Sequence, residues 1–112
     1  PVKSYLATMA KSNDQQVLSL LGLARRARQL VSGEAIVLKN IQTNQAKFVF
    51  LAKDAGKATS KKFTDKCHTY HVPCSQEFTK SQLSQATGQS RTVIGVVQPG
   101  FARKFEELLR ME

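Results

Sequence analysis

Apolar residues at helical spacing predict a helix near the start of this chain. It follows three polar residues that favour a helix N-cap and extends over about Gln15 to Arg28. Its apolar face consists of Val17, Leu20, Leu21, Ala24 and Ala27. Two further apolar series predict a second helix, capped by Ser32, and a third helix. Those series are Ala35, Leu38 and Ile41, and Phe63, Cys67 and Tyr70.

The C-terminal third of the chain carries signals for two more helices. Thr79 and Gln82 have the spacing of a capping box, and Gly88 stands where a left-handed C-cap ends such a helix. After a turn at Pro99 and Gly100, an apolar stripe predicts the last helix. That stripe consists of Phe101, Phe105 and Leu108.

Two unbroken apolar runs, Lys47 to Ala52 and Thr92 to Val97, predict strands that are buried on both faces. A shorter strand is predicted over Val72 to Ser75, because Pro73 ends the third helix and favours extended backbone before it. Strands that alternate with helices, and that need cover on both faces, indicate an α/β fold.

The length and composition fit one domain. At 112 residues, of which 41% are hydrophobic, the chain is long enough to bury its own core. We expect the domain to span residues 14–112, after a flexible segment at residues 1–13. No apolar run approaches the ~20 residues that cross a bilayer, and no secretory signal is recognisable, so we expect a cytoplasmic protein. We then expect its two cysteines to be reduced thiols.

Positive charge dominates the polar positions. Seventeen Lys and Arg against eight Asp and Glu give a formal charge of +9, which attracts polyanions or an acidic membrane surface. Charge alone does not choose among RNA, DNA and lipid, although nucleic acid is the leading class for a small basic domain.

The candidates for phosphate binding are basic residues near predicted helix ends and loops. They are Arg25, Arg26, Arg28, Lys53, Lys57, Lys61 and Lys62. Solvated helix faces are the alternative, because Lys61 and Asp65 are spaced for an ion pair and the arginines complement the negative end of the first helix. We favour the arginines as phosphate contacts. Arg91, beside Gln89 and Ser90, supplies further donors in a loop without an evident structural duty.

The predicted start of the second helix at Gly33 is a further candidate. Its free N–H groups and the helix dipole suit a phosphate. A plain helix cap is the alternative, and Glu34 favours it, since a carboxylate there serves the dipole and repels phosphate.

Five segments, taken in order, resemble the L-seven-Ae and L-thirty-e ribosomal protein superfamily, above all its bacterial YlxQ-type members. They are Leu21 to Gly33, Lys47 to Asp54, Cys67 to Pro73, Leu83 to Gly88, and Val93 to Gly100. The resemblance implies a three-layer αβα sandwich around a four-stranded mixed sheet. It also implies binding of structured RNA and no catalysis.

In that family, RNA is met by the start of the second helix, by the loop after the first buried strand and by the loop before the last strand. The corresponding residues here are Gly33, Glu34 and onward to Lys39; Lys53 and Asp54; and Ala86 to Arg91, with Gly88, Gln89 and Ser90. Members that bind kink-turns carry Gly-x-Asn-Glu where this sequence has the run from Gly33 to Ile36, so the Asn and Glu that read base edges are absent. A different RNA element or a shape-based contact is therefore at least as strong an expectation as a kink-turn.

Metal binding and catalysis find little support in the sequence. The spacing of Cys67, His68, His71 and Cys74 suits a metal site poorly, and a buried thiol with two surface histidines is the better interpretation. No Ser or Cys lies in a strand-to-helix elbow, and no glycine pattern matches a phosphate cradle. We therefore expect no enzyme, no cofactor and no small-molecule substrate.

Together these observations predict a non-catalytic protein that binds ribosomal or other stable RNA through a basic edge of loops and helix ends. Two alternatives stay open. One is a protein-interaction adaptor of the translation machinery, and the other is a recognition domain related to RNA methyltransferases.

Overall fold

The structure is a computed structural model that describes the backbone of residues 2–109 and the side chains of residues 14–109. Five helices and four strands alternate along the described chain. They are α1 (Val2–Arg26), β1 (Leu30–Ser32), α2 (Glu34–Gln42), β2 (Phe48–Leu51), α3 (Lys57–Thr69), β3 (Cys74–Ser75), α4 (Lys80–Thr87), β4 (Val93–Val96) and α5 (Pro99–Leu109).

The four strands form one mixed sheet in the order β1-β4-β2-β3. Strand β4 is antiparallel to both β1 and β2, whereas β2 and β3 are parallel. The two predicted buried strands, β2 and β4, are thus neighbours at the centre of the sheet, and every residue in them is buried. The predicted mixed four-stranded sheet is confirmed.

Two apolar clusters cover the two faces of this sheet. Phe48 and Phe50 of β2 pack in one cluster with residues of α1, α4 and α5, while Val49 and Leu51 pack in the other with residues of α2 and α3. This alternation is the strand period of two, and it accounts for an unbroken apolar run. The predicted three-layer αβα sandwich is therefore confirmed. Phe63 and Phe105 are also buried as predicted, Phe101 is half-buried, and the buried Phe78 was not predicted.

The bounds of the first helix differ from the prediction. Helix α1 ends at Arg26 instead of Arg28, because Arg28 adopts a left-handed φ of 59° and Gln29 N donates to Ala24 O at 2.9 Å. This is the bond pattern that closes a helix at a left-handed residue. At its other end α1 begins at Val2, well before the predicted start at Gln15. The flexible segment predicted for residues 1–13 lies outside the residues whose side chains are described and stays a prediction.

The predicted cap of the second helix is wrong. Ser32 is the last residue of β1, where it pairs with Ile94, and Gly33 holds the N-cap position with no side-chain cap. The buried face of α2 also differs, since Val37 and Ile41 are buried while the predicted Ala35 is exposed and Leu38 is half-buried. Contact with the sheet, and not the sequence period alone, sets which face of this short helix is covered.

The predictions for the last two helices have different outcomes. The capping box of Thr79 and Gln82 is confirmed in both directions, and Gly88 adopts the left-handed C-cap with φ 74°. Pro99 was predicted in a turn, but it is the first residue of α5, a position that tolerates proline because its N–H would be unpaired there anyway. Gln98 Oε1 caps this helix by accepting from Phe101 N at 2.7 Å. None of the described helices is both long and apolar enough to span a bilayer.

Candidate nucleic-acid interface

Three chain connections meet at one edge of the sheet. Ser32 pairs with Ile94 and Leu51 pairs with Val93, so the C-terminal ends of β1 and β2 lie beside the start of β4. The junction between β1 and α2, the loop from β2 to α3 and the loop from α4 to β4 therefore share this edge. We call it the loop edge. It brings together the three segments predicted to meet RNA.

A concavity of about 240 Å³ opens beside the loop edge, and three arginines line it. Arg25 lies in the last turn of α1, Arg28 lies in the turn between α1 and β1, and Arg91 lies in the loop before β4. The remaining lining residues are Leu30, Ser32, Thr87, Gln89 and Ile94. We call this feature the arginine concavity.

Hydrogen bonds hold Arg91 in the concavity. Its Nε donates to Ser32 Oγ at 3.1 Å, and its Nη1 donates to the Ser90 carbonyl oxygen at 3.2 Å. Sequence reasoning found Arg91 but missed this partner, because the two residues are 59 positions apart and no local pattern links them. These bonds use only part of the five-donor guanidinium, which leaves donors for an anion.

Two residues with left-handed backbone, Gly88 and Arg28, lie beside the arginine concavity. Gly88, at φ 74°, ends α4 and turns the chain toward β4. A Cβ at this position would lie 3.9 Å from Arg25 Nη1, so the guanidinium rests close to a backbone that has no side chain. Arg28, at φ 59°, turns the chain from α1 into β1. Both arginines are exposed.

The charges of the concavity are not neutralised locally. Among residues 14–109, the ion pair with an N···O distance within 4.0 Å is Lys104 with Glu107, at 3.8 Å on the exposed side of α5. Three guanidinium groups around one recess, without a carboxylate in contact, attract an anion such as phosphate.

The N-terminus of α2 lies at the same loop edge. Gly33 N donates to Val93 O at 3.3 Å, and the first helical bond runs from Val37 N to Gly33 O at 3.0 Å. The N–H groups of residues 34–36 precede that bond, and no side chain caps them. They add backbone donors next to the arginine concavity. Glu34 and Ile36 are exposed here, Ile36 at 56%.

Three other predicted residues belong to the α3 side of the loop edge. Lys53 is exposed, while Asp54 Oδ1 accepts from Lys80 N at 2.8 Å and so caps the start of α4. This bond gives Asp54 a structural role that the sequence did not reveal. Lys57 is exposed as the first residue of α3.

Three predicted residues lie away from the concavity. Arg26 lines grooves that α1 forms with α4 and α5, so it does not share one surface with Arg25 and Arg28. Ala86 is half-buried where α1 and α4 pack, and its carbonyl oxygen lies 3.0 Å from the position of a Cβ on Gly22. Lys39 is exposed in the last turn of α2, about 9 Å along the helix axis from Gly33.

The cysteine and histidine set adopts the predicted arrangement of a buried thiol and two surface histidines. Cys67 is buried and both His68 and His71 are exposed. A hydrogen bond between the two thiols raises the pKa of Cys67, helped by burial, and lowers the pKa of Cys74. Within the described part of the chain, no group of three or more His, Cys, Asp or Glu is placed to hold a metal ion.

Comparison with known proteins places this geometry in context. The model of the Ribosomal protein L7Ae/L30e/S12e/Gadd45 family matches residues 15–106. A protein of Enterococcus faecium named RNA-binding protein YlxQ is 42% identical over 101 residues, covering 90% of this chain and 98% of that protein. The protein of the same name from Bacillus subtilis (strain 168) is 46% identical over 91 residues, covering 80% of this chain and 91% of the relative.

Two solved structures share the fold. One, of a protein with unknown function from Bacillus halodurans C, has a TM-score of 0.81 at 46% identity and covers 84% of this chain and 96% of that one. The Giardia lamblia 15.5kD RNA binding protein has a TM-score of 0.73 at 19% identity, covering 87% of this chain and 90% of its own. At that identity the second likeness concerns the fold alone.

Proposed function

Because this chain belongs to the Ribosomal protein L7Ae/L30e/S12e/Gadd45 family, we propose that it is a non-catalytic protein that binds structured RNA through the arginine concavity and the adjoining loop edge. The observation that carries the proposal is the convergence of Arg25, Arg28 and Arg91 on one recess of about 240 Å³. The names of the relatives from Enterococcus faecium and Bacillus subtilis agree with it.

The chemistry of the site suits the sugar-phosphate backbone. Guanidinium groups form charge-assisted, bidentate hydrogen bonds with phosphate oxygens, and residues 34–36 offer backbone N–H groups nearby. Phosphate contacts position an RNA, while the shape of the recess selects among folded elements. Most of the described aromatic side chains are of little use for base stacking, because they lie in the core: Phe48, Phe50, Phe63, Phe78 and Phe105.

The proposal extends to the class of RNA and to the compartment. Ribosomal RNA or another stable RNA offers fixed phosphate positions, which a preformed recess held by the bond between Arg91 and Ser32 requires. A cytoplasmic location fits this partner. It also fits the free thiols of Cys67 and Cys74, since reduced cysteines persist in that compartment.

The direct test is the double variant Arg25→Gln and Arg28→Gln, measured by fluorescence anisotropy on labelled, refolded fragments of bacterial ribosomal RNA. Each lost phosphate contact makes the negative slope of log K against log salt less steep by about 0.7–0.9 and lowers the affinity at 0.15 M salt by about fourfold. We therefore expect a loss of about sixteenfold for two contacts. Arg103→Gln with Lys104→Gln, exposed on α5, is the matched control and should change the affinity little.

Three results would count against the proposal. Equal losses in the two double variants would mean that the site is elsewhere, and equal affinity for poly(U) would mean that RNA structure is not recognised. Partners that co-purify from cells and survive nuclease treatment, without RNA binding by the pure protein, would favour the protein-interaction adaptor instead.

A further inference from the structure

Helix α3 presents a second basic surface that the arginine concavity does not include. Four of its thirteen residues are lysines, and its acidic residue is Asp65. Lys57, Lys61 and Lys62 are exposed, and Lys66 is half-buried. The opposite side of the helix carries the buried Phe63 and Cys67, which pack against the sheet. We call the four lysines the α3 lysine face.

Ion pairs within α3 would be the simplest local explanation for these lysines, but the described side chains of the helix form none. Lys61 and Asp65 have the spacing of an ion pair, yet they do not approach within 4.0 Å, and neither do Asp65 and Lys62. The first turn of α3 holds no acidic residue and begins with Lys57, where the helix dipole disfavours a cation. Two of the lysines have a local stabilising contact: Lys62 Nζ lies 5.9 Å from the centroid of the Phe63 ring, and Lys66 is in the last turn, where the helix dipole favours a cation. No described carboxylate lies within 4.0 Å of any of the four ammonium groups, so the positive charge of this face is not neutralised.

The position of the face connects it to the loop edge. Helix α3 begins directly after the loop that contains Lys53, and Lys57 to Lys66 extend about 14 Å along the helix axis away from that edge. In B-DNA one strand carries a charge for every ~3.4 Å of helix axis, so a lysine series of this length can face several successive phosphates of a nucleic-acid strand. The arginine concavity lies in the layer of α1 and α4, whereas α3 lies in the layer across the sheet. The two basic surfaces thus flank the loop edge.

We infer that the α3 lysine face is a second RNA-backbone contact, so that a bound RNA spans the loop edge with one segment in the arginine concavity and another along α3. The inference rests on the proposed function and extends it to a partner with two phosphate tracks, as in a bent or branched helix. Lysine suits this contact because it acts as a point charge on a flexible stem and needs no fixed phosphate geometry.

The experiment compares two charge-matched triple variants with the wild-type chain. The first carries Lys61→Gln, Lys62→Gln and Lys66→Gln. The control carries Lys47→Gln, Arg103→Gln and Lys104→Gln, three exposed cations at the start of β2 and on α5. Binding to the refolded ribosomal RNA fragments is measured across a salt series. If at least two lysines contact phosphates, the first variant loses about 1.5 from the salt slope and about sixteenfold in affinity at 0.15 M salt, and the control loses much less.

The outcomes separate this inference from the proposed function. If the Arg25→Gln, Arg28→Gln variant loses affinity while the two triple variants behave alike, the second contact is refuted and the first stands. If the wild-type chain does not prefer the structured RNA, both fail.

A measurement on the unaltered protein guards against misfolding of the variants. Lysines of the free and RNA-bound chain are acetylated with an N-hydroxysuccinimide ester, and the extent at each site is read by peptide mass spectrometry. Bound RNA should protect Lys61 and Lys62 several-fold and leave Lys47 and Lys104 unchanged. Equal modification of Lys61 and Lys62 in both states would overturn the inference.

Discussion

At the scale of single residues, the backbone of Gly33 imposes the strictest local requirement at the loop edge. Its φ of 94° with ψ of 144° belongs to a region that residues with a Cβ rarely enter. A Cβ there would meet nothing within 4 Å, so the constraint is conformational and not steric. The glycine lets the chain turn directly from β1 into α2 and so exposes the amides of residues 34–36 to the loop edge.

We predict that Gly33→Ala destabilises the fold by ~1–3 kcal/mol, measured as a shift in the urea midpoint at constant m-value. Gly56→Ala is the matched control, because Gly56 also has open space around it but an ordinary φ of −60°. The control should change stability by less than ~1 kcal/mol, because the lower entropy of the unfolded alanine chain opposes the poorer fit of alanine to the N-cap position of α3. Similar losses in both variants would contradict the conformational argument.

Two substitutions of Arg91 separate the contribution of its charge to RNA binding from the contribution of its hydrogen-bond geometry. Arg91→Lys keeps the positive charge but loses the planar fork that bonds Ser32 and Ser90. We expect RNA affinity about three- to tenfold lower with an unchanged salt slope, whereas Arg91→Gln should also reduce the slope by about 0.7–0.9. Anisotropy titrations at four salt concentrations distinguish the two effects. A lysine variant with full affinity would show that only the charge of Arg91 matters.

The two thiols should differ in reactivity. The hydrogen bond from Cys67 lowers the pKa of Cys74, while that bond and burial raise the pKa of Cys67. Since the thiolate is the reactive form, iodoacetamide should label Cys74 in the native protein at a pH below that of an ordinary cysteine, and Cys67 much more slowly. Peptide mass spectrometry over a pH series checks this, with urea-unfolded protein as the control. Faster labelling of Cys67 would reverse the assignment.

At the scale of elements, the features that depend on a few neighbouring residues are those that the sequence predicted well. The capping box of α4 needs only Thr79, Gln82 and the C-cap Gly88, and all three act as expected. The buried strands are likewise recognisable in the sequence as unbroken apolar runs. The end of α1 and the start of α2 were misplaced because a left-handed arginine and an uncapped glycine carry no comparable local signal.

The capping box itself yields a stability prediction. Thr79→Ala removes the side-chain acceptor for Gln82 N at 3.1 Å, and we expect a loss of ~1 kcal/mol in the free energy of unfolding. Thr69→Ala, at the exposed end of α3, is the control and should change it by less than ~0.5 kcal/mol. Chemical unfolding of the three proteins under identical conditions provides the comparison. Equal effects would mean that the capping box contributes nothing specific.

At the scale of the whole molecule, the sequence predicted a common edge of loops and helix ends but not how the side chains of these segments are distributed over the surface. The resemblance implied that three segments meet RNA, and the strand register places these segments at one edge of the sheet. It did not separate Arg26 from Arg25 and Arg28, nor assign Asp54 to the cap of α4, because both distinctions depend on contacts between elements far apart in sequence. The sequence named Lys57, Lys61 and Lys62 as candidates for phosphate binding but left an ion pair of Lys61 with Asp65 as the alternative, and the described side chains do not form that pair.

The excess of positive charge should make salt act in opposite directions on folding and on binding. The chain carries +9, and at 0.01 M salt the Debye length of ~30 Å exceeds the 28 Å of its shortest axis, so its cations repel one another across the fold. Raising NaCl from 0.01 to 0.15 M screens this repulsion and should raise the Tm by a few degrees, since ~1 kcal/mol corresponds to ~4 °C or more for a small domain. The same change should weaken RNA binding, because it reduces counterion release.

Differential scanning calorimetry measures the Tm, and fluorescence anisotropy measures the RNA affinity. The triple variant of Lys47, Arg103 and Lys104, with three charges removed, should show a smaller rise in Tm. A Tm that falls over this range would mean that attractive charge contacts outweigh the repulsion, which would require ion pairs in addition to that of Lys104 with Glu107 among the described side chains.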